Sequence, residues 1–246
     1  MTRLATVLAV AALYAGSALA QSSGNFTATV DDALCSINSA TGDESCTNAN
    51  GTNVCTTPAP GGSLTAAIKL PNSSPALLVT PSLATGLYTN TPVGANSETA
   101  AIVVTVTDTF GFPAQTVTLT PDQTCVQTVG TSPCSGPSAT CKCGVVYDER
   151  FQMVTSLMGP LPVSLILSTL SAHSFNFVEA NAPGGTHNVT MAWYFGCDDG
   201  SGQLATSKCT TTFTPGTAAA CAGPGTLTVQ QVQNFHRDSQ AQSTGP

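Results

Sequence analysis

The sequence has few charged residues. Only 8% of its 246 residues are Asp, Glu, Lys or Arg, against roughly 25% in an average globular domain. Six Lys+Arg against 13 Asp+Glu give a formal net charge of −7. Such a chain has no cationic surface that could release counterions from nucleic acid or bind anionic lipid. The composition therefore disfavours nucleic-acid binding and membrane-surface binding.

Aromatic residues make up only 6% of the chain, and there are three histidines. The hydrophobic fraction is nevertheless 41%, which is sufficient for a packed core and argues against disorder. Single all-β domains routinely have about 200 to 250 residues. The length therefore fits one β domain with decorated ends.

The first 20 residues have the pattern of a secretory signal peptide. Arg3 precedes an apolar run from Leu4 to Leu13, and Ala18-Leu19-Ala20 forms a small-residue cleavage site before Gln21. This apolar run is shorter than the roughly 18 residues of a membrane span, and residues 237–246 are polar. We therefore expect a secreted, extracellular protein without a membrane anchor.

Ten cysteines follow this segment, an even number that predicts five disulfides in an oxidising compartment. They form three sets of three, four and three, so full pairing needs at least one bond between sets, and we favour one that joins the first set to the last. Cys141 and Cys143 are too close in sequence to bond readily to each other and should have different partners. No Cys-x-x-Cys pair or neighbouring His indicates zinc, and no metal or cofactor is predicted. The ten are Cys35, Cys46, Cys55, Cys125, Cys134, Cys141, Cys143, Cys197, Cys209 and Cys221.

Four Asn-x-Ser/Thr acceptors are present, at Asn25, Asn50, Asn72 and Asn188. A glycosylated asparagine must face solvent, so each acceptor also predicts an exposed side chain. We expect a glycoprotein.

Composition divides the chain into four parts. Residues 1–20 are the signal peptide, 21–62 a cysteine-containing region packed on the main domain, 63–221 a β-sandwich and 222–246 a polar tail. Short β-type runs bounded by Gly, Pro, Asn or Asp fill the third part. They are residues 76–80, 100–107, 116–120, 144–147, 163–170, 174–178 and 188–195.

Two hairpins are predicted from these runs. One joins residues 100–107 to 116–120 through a loop that contains Asp108. In the other, the alternation from Ser174 to Phe195 indicates two strands with one buried face and a turn at residues 182–185. A short helix over residues 148–158 is the one helical prediction. The absence of βαβ alternation favours an antiparallel β-sandwich of jelly-roll type.

Three segments resemble secreted fungal proteins of unassigned function. They are Leu78–Thr89, Val146–Phe151, and Leu170–Phe177 together with Gly185–Val189. The resemblance covers roughly residues 76–196 and implies no activity or catalytic residues. The strand that ends at Trp193 also resembles the last hairpin of tumour-necrosis-factor-like and phage-fibre sandwiches.

The weak catalytic candidates are Asp148, Glu149, Glu179 and His173. A glycosidase needs two acids about 5 to 10 Å apart across a cleft, but acids also occupy strand ends because these positions are wet. Asp148 is expected to pair with Arg150 or cap a turn. His173 and His187 flank the second hairpin with an offset of several residues, which favours structural or surface roles.

Other chemistries lack their motifs. Cys197–Gly202 lacks the alternating acids and distant Glu of a calcium loop and is predicted to be a turn pinned by Cys197. The sequence has no Gly-x-Ser-x-Gly elbow and no glycine-rich phosphate loop before a helix. A mature start at Gln21 excludes an oxidative copper enzyme with an N-terminal His, and adjacent-cysteine doublets of hydrophobins are absent.

We therefore expect a non-catalytic, disulfide-bonded glycoprotein that acts by binding or structure at the cell surface, wall or extracellular matrix. Its expected partners are cell-wall polysaccharide or a surface protein, and the oligomeric state stays open. The alternative is a secreted carbohydrate-active hydrolase with a carboxylate pair. A trimeric ligand of the tumour-necrosis type is a third hypothesis, and it would need an exposed apolar sheet face.

Overall fold

Strands account for nearly all regular structure in the part of the chain that the structure describes. The computed structural model describes residues 25–37, 44–47, 61–72, 75–92, 97–130, 132–154, 164–210 and 216–232. Within these ranges no helix has the length and apolar character needed to cross a membrane. The strands are β1 (Phe26–Asp31), β2 (Leu34–Ile37), β3 (Glu44–Thr47), β4 (Gly61–Leu70), β5 (Ala76–Pro92), β6 (Glu98–Phe110), β7 (Gln115–Thr118), β8 (Thr124–Gln127), β9 (Cys141–Gln152), β10 (Ser164–Ser174), β11 (Phe177–Glu179), β12 (Gly185–Asp198) and β13 (Thr217–Val232), and a 3₁₀ turn covers Thr206–Lys208.

Two antiparallel sheets pack face to face. The first sheet has the order β1-β13-β5-β10, with β11 also beside β5. The second has the order β4-β12-β6-β9-β8, with β7 also beside β6. Apart from β6 and β9, consecutive main strands alternate between the sheets, which is the order of a jelly roll. The predicted jelly-roll sandwich is confirmed.

Alternating side chains fill the space between the sheets. In β4, Leu64, Ala66 and Ile68 are buried while the residues between them are exposed. In β12, Val189 and Met191 are fully buried in the same way. A period of two places these residues on one face of a strand, so both strands turn their apolar face to the first sheet. The core that results joins both sheets.

The outer face of the first sheet is covered by the small β2–β3 sheet. Both of these strands contact β13 and β5. Tyr88 and Ala219, which lie opposite each other on β5 and β13, are buried although they face away from the main core. The middle of β5 is therefore buried on both faces, which explains why its burial pattern stops alternating after Thr85.

Eight cysteines form four disulfides, and none of the described cysteines is free. The predicted bond from the first cysteine set to the last is confirmed as Cys35–Cys221, which ties β2 to β13. Cys141 and Cys143 have different partners, also as predicted. The side chain of Cys46 and all of Cys55 lie outside the described residues. The other three bonds are Cys125–Cys143, Cys134–Cys141 and Cys197–Cys209.

The first predicted hairpin is present as β6 and β7, which pair around residues 111–114. Asp108 does not lie in its loop, because β6 continues to Phe110. The second predicted hairpin is wrong. β11 pairs with β5 in the first sheet, whereas β12 pairs with β4 and β6 in the second. Residues 180–184 connect the two sheets.

Further local predictions differ from the structure. Residues 148–152 belong to β9 rather than to a helix, because this segment pairs with β6. Residues 222–232 belong to β13, in which Leu227 and Val229 are fully buried, so the strand passes the predicted start of the tail at residue 222. The predicted signal peptide and residues 155–158 lie outside the described residues.

The Cys35–Cys221 bond should stabilise the fold more than Cys134–Cys141. Their sequence separations are 186 and 7 residues, and in the chain-entropy model a bond that closes a longer loop restricts the unfolded chain more strongly. Replacing both cysteines of the long pair by alanine should lower the free energy of unfolding by about 2 to 4 kcal/mol. Denaturation in guanidinium chloride measures this, with Cys134→Ala/Cys141→Ala as the matched control. A larger loss in the control would contradict the prediction.

Candidate functional site

The first group of polar side chains lies where β9 faces β5 and β10. The Asp148 carboxylate accepts hydrogen bonds from Thr85 Oγ1 at 2.8 Å and from Ser171 Oγ at 2.9 Å. Ser171 Oγ is also 2.8 Å from His173 Nε2, and this nitrogen is 3.7 Å from Asp148 Oδ2. The side chains of His173 and Asp148 are 32% and 17% exposed. Two of the four weak catalytic candidates therefore share one partly exposed network.

This network does not have the geometry of a Ser-His-Asp triad. In such a triad the carboxylate and the hydroxyl contact opposite nitrogens of the imidazole ring. Here Asp148 and Ser171 both approach Nε2 of His173. The contacts instead join strands of both sheets, because Asp148 lies on β9 and its partners lie on β5 and β10.

The remaining carboxylate candidates lie elsewhere. Glu149 follows Asp148 on β9 and is exposed, and successive strand residues face opposite sides of a sheet. Glu179 lies opposite Leu77 on β5, eight residues from Thr85 and so about 26 Å along the strand from the Asp148 network. Arg150 donates to the Leu87 carbonyl oxygen at 3.5 Å instead of pairing with Asp148, which lies near the imidazole of His173.

The second group is buried between the sheets. Asp108 on β6 and His187 on β12 have no solvent-exposed surface. Glu179 reaches them from β11 of the first sheet, and one donor atom from each of the three residues lies within 4.8 Å of the others. We call Asp108, Glu179 and His187 the inter-sheet triad. It brings together one catalytic candidate, Glu179, with two residues that the sequence did not place beside it.

Hydrogen bonding fixes the imidazole of His187. Its Nε2 lies 2.7 Å from the Pro183 carbonyl oxygen and its Nδ1 lies 2.5 Å from Asp108 Oδ2. A carbonyl oxygen only accepts hydrogen bonds, so Nε2 carries a proton. The pKa of Glu179 is raised to about 7, mainly by burial and also by the hydrogen bond and the charge of the adjacent Asp108 carboxyl group, while His187 opposes this.

The triad cannot hydrolyse a glycosidic bond. Its two carboxylates are close together, but a glycosidase holds its acids on either side of a cleft that the sugar enters. Asp108 is completely buried, so a polysaccharide chain has no access to it. Among the described residues, the acids named from the sequence do not form an accessible pair.

The turn predicted at Cys197–Gly202 is shorter in the structure, because Cys197 and Asp198 still belong to β12 and the chain bends only over residues 199–202. The Cys197–Cys209 bond holds the end of β12 next to this bend. Asp198 accepts hydrogen bonds from the backbone N–H groups of Ser201 and Gly202. Lys208 Nζ lies 3.1 Å from Asp198 and 2.9 Å from Asp199. Burial alone would raise the pKa of Asp198, but hydrogen bonds from Ser201, Lys208 and Gly202 outweigh this and hold the pKa below its ordinary value. The Lys208 ammonium therefore occupies the position that a cation would take.

The outer face of the second sheet carries two rows of short side chains. Both rows run across β4, β12, β6 and β7. Thr65 and Thr190 share a hydrogen bond of 2.9 Å between their hydroxyl oxygens, and Thr109 and Thr116 share one of 3.1 Å. We call this surface the threonine face. Its rows are Thr65, Thr190, Thr107 and Thr118, and Ala67, Asn188, Thr109 and Thr116.

Three of the predicted glycosylation sites are described, and all three asparagines are exposed. Asn188 lies within the threonine face. Asn25 lines a groove of about 680 Å³ formed by residues 25–27, 67–71 and Gln231, which contains no acid, histidine or cysteine. Asn72 comes directly after Pro71, the last residue of the 67–71 segment that lines this groove. Asn50 lies outside the described residues.

The buried carboxyl group of Glu98 should make stability depend on pH. Burial, followed by the nearby charges of Asp199 and Asp198, raises its pKa from 4.5 to about 7. The folded state therefore holds this proton more tightly, so the stabilisation is complete below pH 4.5 and is lost as the pH rises to 7. We expect the advantage of the wild type over Glu98→Gln in unfolding free energy to shrink between pH 4.5 and 7 and then stay level.

Denaturation at several pH values checks this expectation. The pKa of Glu179 is also raised, but this residue is present in both the wild type and Glu98→Gln. Its contribution to the pH dependence of the unfolding free energy therefore cancels in the difference between them. Glu149→Gln, at an exposed position of the neighbouring strand, is the matched control. A difference that grows with pH would contradict the assignment to Glu98.

No protein-family model matches the sequence, and searches of curated proteins and of solved structures also found no match. The resemblance of residues 76–196 to secreted fungal proteins stays a prediction. The function is therefore inferred from the residues of this chain alone.

Proposed function

We propose that the protein is a non-catalytic extracellular glycoprotein that binds neutral cell-wall or matrix polysaccharide through the threonine face. The observation that supports this most directly is the double row of short, mostly hydroxyl-bearing side chains across four strands. Adjacent strands are about 4.8 Å apart, so each row spans about 14 Å across the sheet. A flat, uncharged polymer can contact many of these groups at once.

The charge of the face supports a neutral ligand. Neither row contains an ionisable side chain, and Lys69 on the edge strand β4 is the nearest charged residue within the paired segment of β4 and β12. Hydroxyl groups both donate and accept hydrogen bonds, as do the hydroxyls of a sugar. A cationic ligand would find no opposite charge in the rows, and an anionic ligand would find only Lys69 beyond the end of the second row.

The placement of the carboxylates argues against the hydrolase alternative. Asp148 is engaged with Thr85 and Ser171, and Glu179 belongs to the buried triad. Four disulfides favour an extracellular location, because such bonds persist in oxidising compartments.

Asn188 lies in the centre of the second row, so a glycan there would cover the binding surface. Polysaccharide binding by the threonine face therefore requires that this sequon is unused in the binding form. Asn25 and Asn72 do not belong to the rows, although Asn25 shares a groove with Ala67 at the end of the second row. The variant Asn188→Gln removes the glycan acceptor and so shows whether a glycan at this position blocks binding.

Co-sedimentation with insoluble chitin, β-glucan and cellulose tests the proposal. We expect retention on at least one polymer, and Thr190→Arg should weaken it by about tenfold or more, because a long charged side chain breaks the flat contact at its centre. Thr169→Arg is the matched control, since Thr169 is an exposed strand threonine of the first sheet. Retention on none of the polymers, by either wild type or Asn188→Gln, contradicts the proposal.

A further inference from the structure

We propose that the inter-sheet triad of Asp108, Glu179 and His187 binds one divalent transition-metal ion, with Zn²⁺ as the first ion to test. The proposal is independent of polysaccharide binding, because the triad is buried and the threonine face is not. It rests on the donor set, on the fixed imidazole and on unpartnered carboxylate oxygens.

The donor set fits such an ion. Zinc is bound in proteins by histidine nitrogen and by Asp or Glu oxygen at about 2.0 to 2.2 Å. Sites with three protein ligands complete the tetrahedron with a water molecule, so the triad would need one buried water as the fourth ligand. The triad offers one nitrogen and two carboxylates within 4.8 Å of one another. Tetrahedral ligands at these bond lengths are about 3.4 Å apart, so small side-chain rotations would bring the donors into place. A neutral imidazole with two carboxylates balances a divalent charge.

The imidazole is held as a metal-bound histidine usually is. Such a histidine donates its other ring N–H to a carboxylate or a backbone carbonyl, which fixes the tautomer and the ring orientation. His187 donates Nε2–H to the Pro183 carbonyl oxygen, and its Nδ1 lies against the Asp108 carboxylate. Phe110 packs against the ring with centroids 5.0 Å apart and adds to this support.

Unpartnered oxygens point to a missing ligand. Among the described side chains, four buried polar atoms have no hydrogen-bond partner, and two of them belong to the triad: Asp108 Oδ1 and Glu179 Oε2. An unsatisfied buried carboxylate oxygen is costly, and a bound water, an ion or a proton shared by the two carboxyl groups would relieve this cost. The metal-loading experiment below separates the ion from the shared proton, because a proton leaves no bound metal and no metal-dependent Tm. Asp108 has no exposed surface, so bulk water does not satisfy it.

The ion would be structural, because Asp108 and His187 are sealed from solvent. It would connect β6 and β12 of the second sheet to β11 of the first, at the end where residues 180–184 pass between the sheets. Metal binding would then add directly to the folding free energy. Glu179 is the half-buried member of the triad and is the residue to vary first.

The experiment uses the full chain with its disulfides intact. The protein is unfolded in guanidinium chloride with EDTA, refolded with or without Zn²⁺ or Mn²⁺, and examined by elemental analysis, calorimetric titration and thermal unfolding. We expect about one Zn²⁺ per chain, a higher Tm with the ion, and binding at least about tenfold weaker in Glu179→Gln. Asp148→Asn, which removes a carboxylate that lies beside a different histidine, should bind as the wild type does.

Two results would overturn the proposal. One is a wild type that refolds but retains less than about a tenth of an equivalent of either metal and melts at the same temperature with and without it. The other is equal Zn²⁺ affinity in the wild type and Glu179→Gln. Circular dichroism establishes that each variant is folded, and Asp108→Asn provides a second test if Glu179→Gln does not fold.

Discussion

The burial of one face of each sheet against the other is the constraint on which the rest of the structure depends. Leu64 and Ile68 from β4 and Met191 from β12 meet Leu227 and Val229 from β13 in one core, and this burial supplies the main driving force for folding. The jelly-roll order makes successive strands contribute to opposite sheets. Strands that follow each other in sequence therefore lie in different sheets, and residues that are distant in sequence come into contact at the ends of the sandwich.

Alternation was sufficient to predict which residues of β12 face the core, but not which strands lie beside it. The run from Val189 to Trp193 has a clear period of two, and its buried side is the predicted one. Pairing depends on contacts distant in sequence, so the short turn before β12 suggested a local hairpin where the chain crosses between sheets. β13 was missed for a different reason, because Ala218 to Ala222 offer little contrast between its faces.

The inter-sheet triad shows the same limit at the level of chemistry. Asp108 follows the inward-facing Val104 and Val106, and His187 precedes the inward-facing Val189. Each therefore continues an apolar alternation with an ionisable group, which is a signal that the sequence does contain. Their meeting with Glu179 could not be predicted, because it requires that β11 lie in the first sheet, opposite β6 and β12.

The protein buries several of its few ionisable groups and leaves one broad outer face without charges. Asp108, His187 and Glu98 are buried, where charge is costly unless it is paired, protonated or bound to an ion. The outer threonine face has hydroxyl groups instead of charges. Because electrostatic attraction acts over long distances and hydroxyl contacts do not, the polysaccharide binding proposed for this face would depend on the number of short contacts that one ligand makes together. The hydrogen-bonded pairing of β4, β12, β6 and β7 sets the spacing of these groups along the rows.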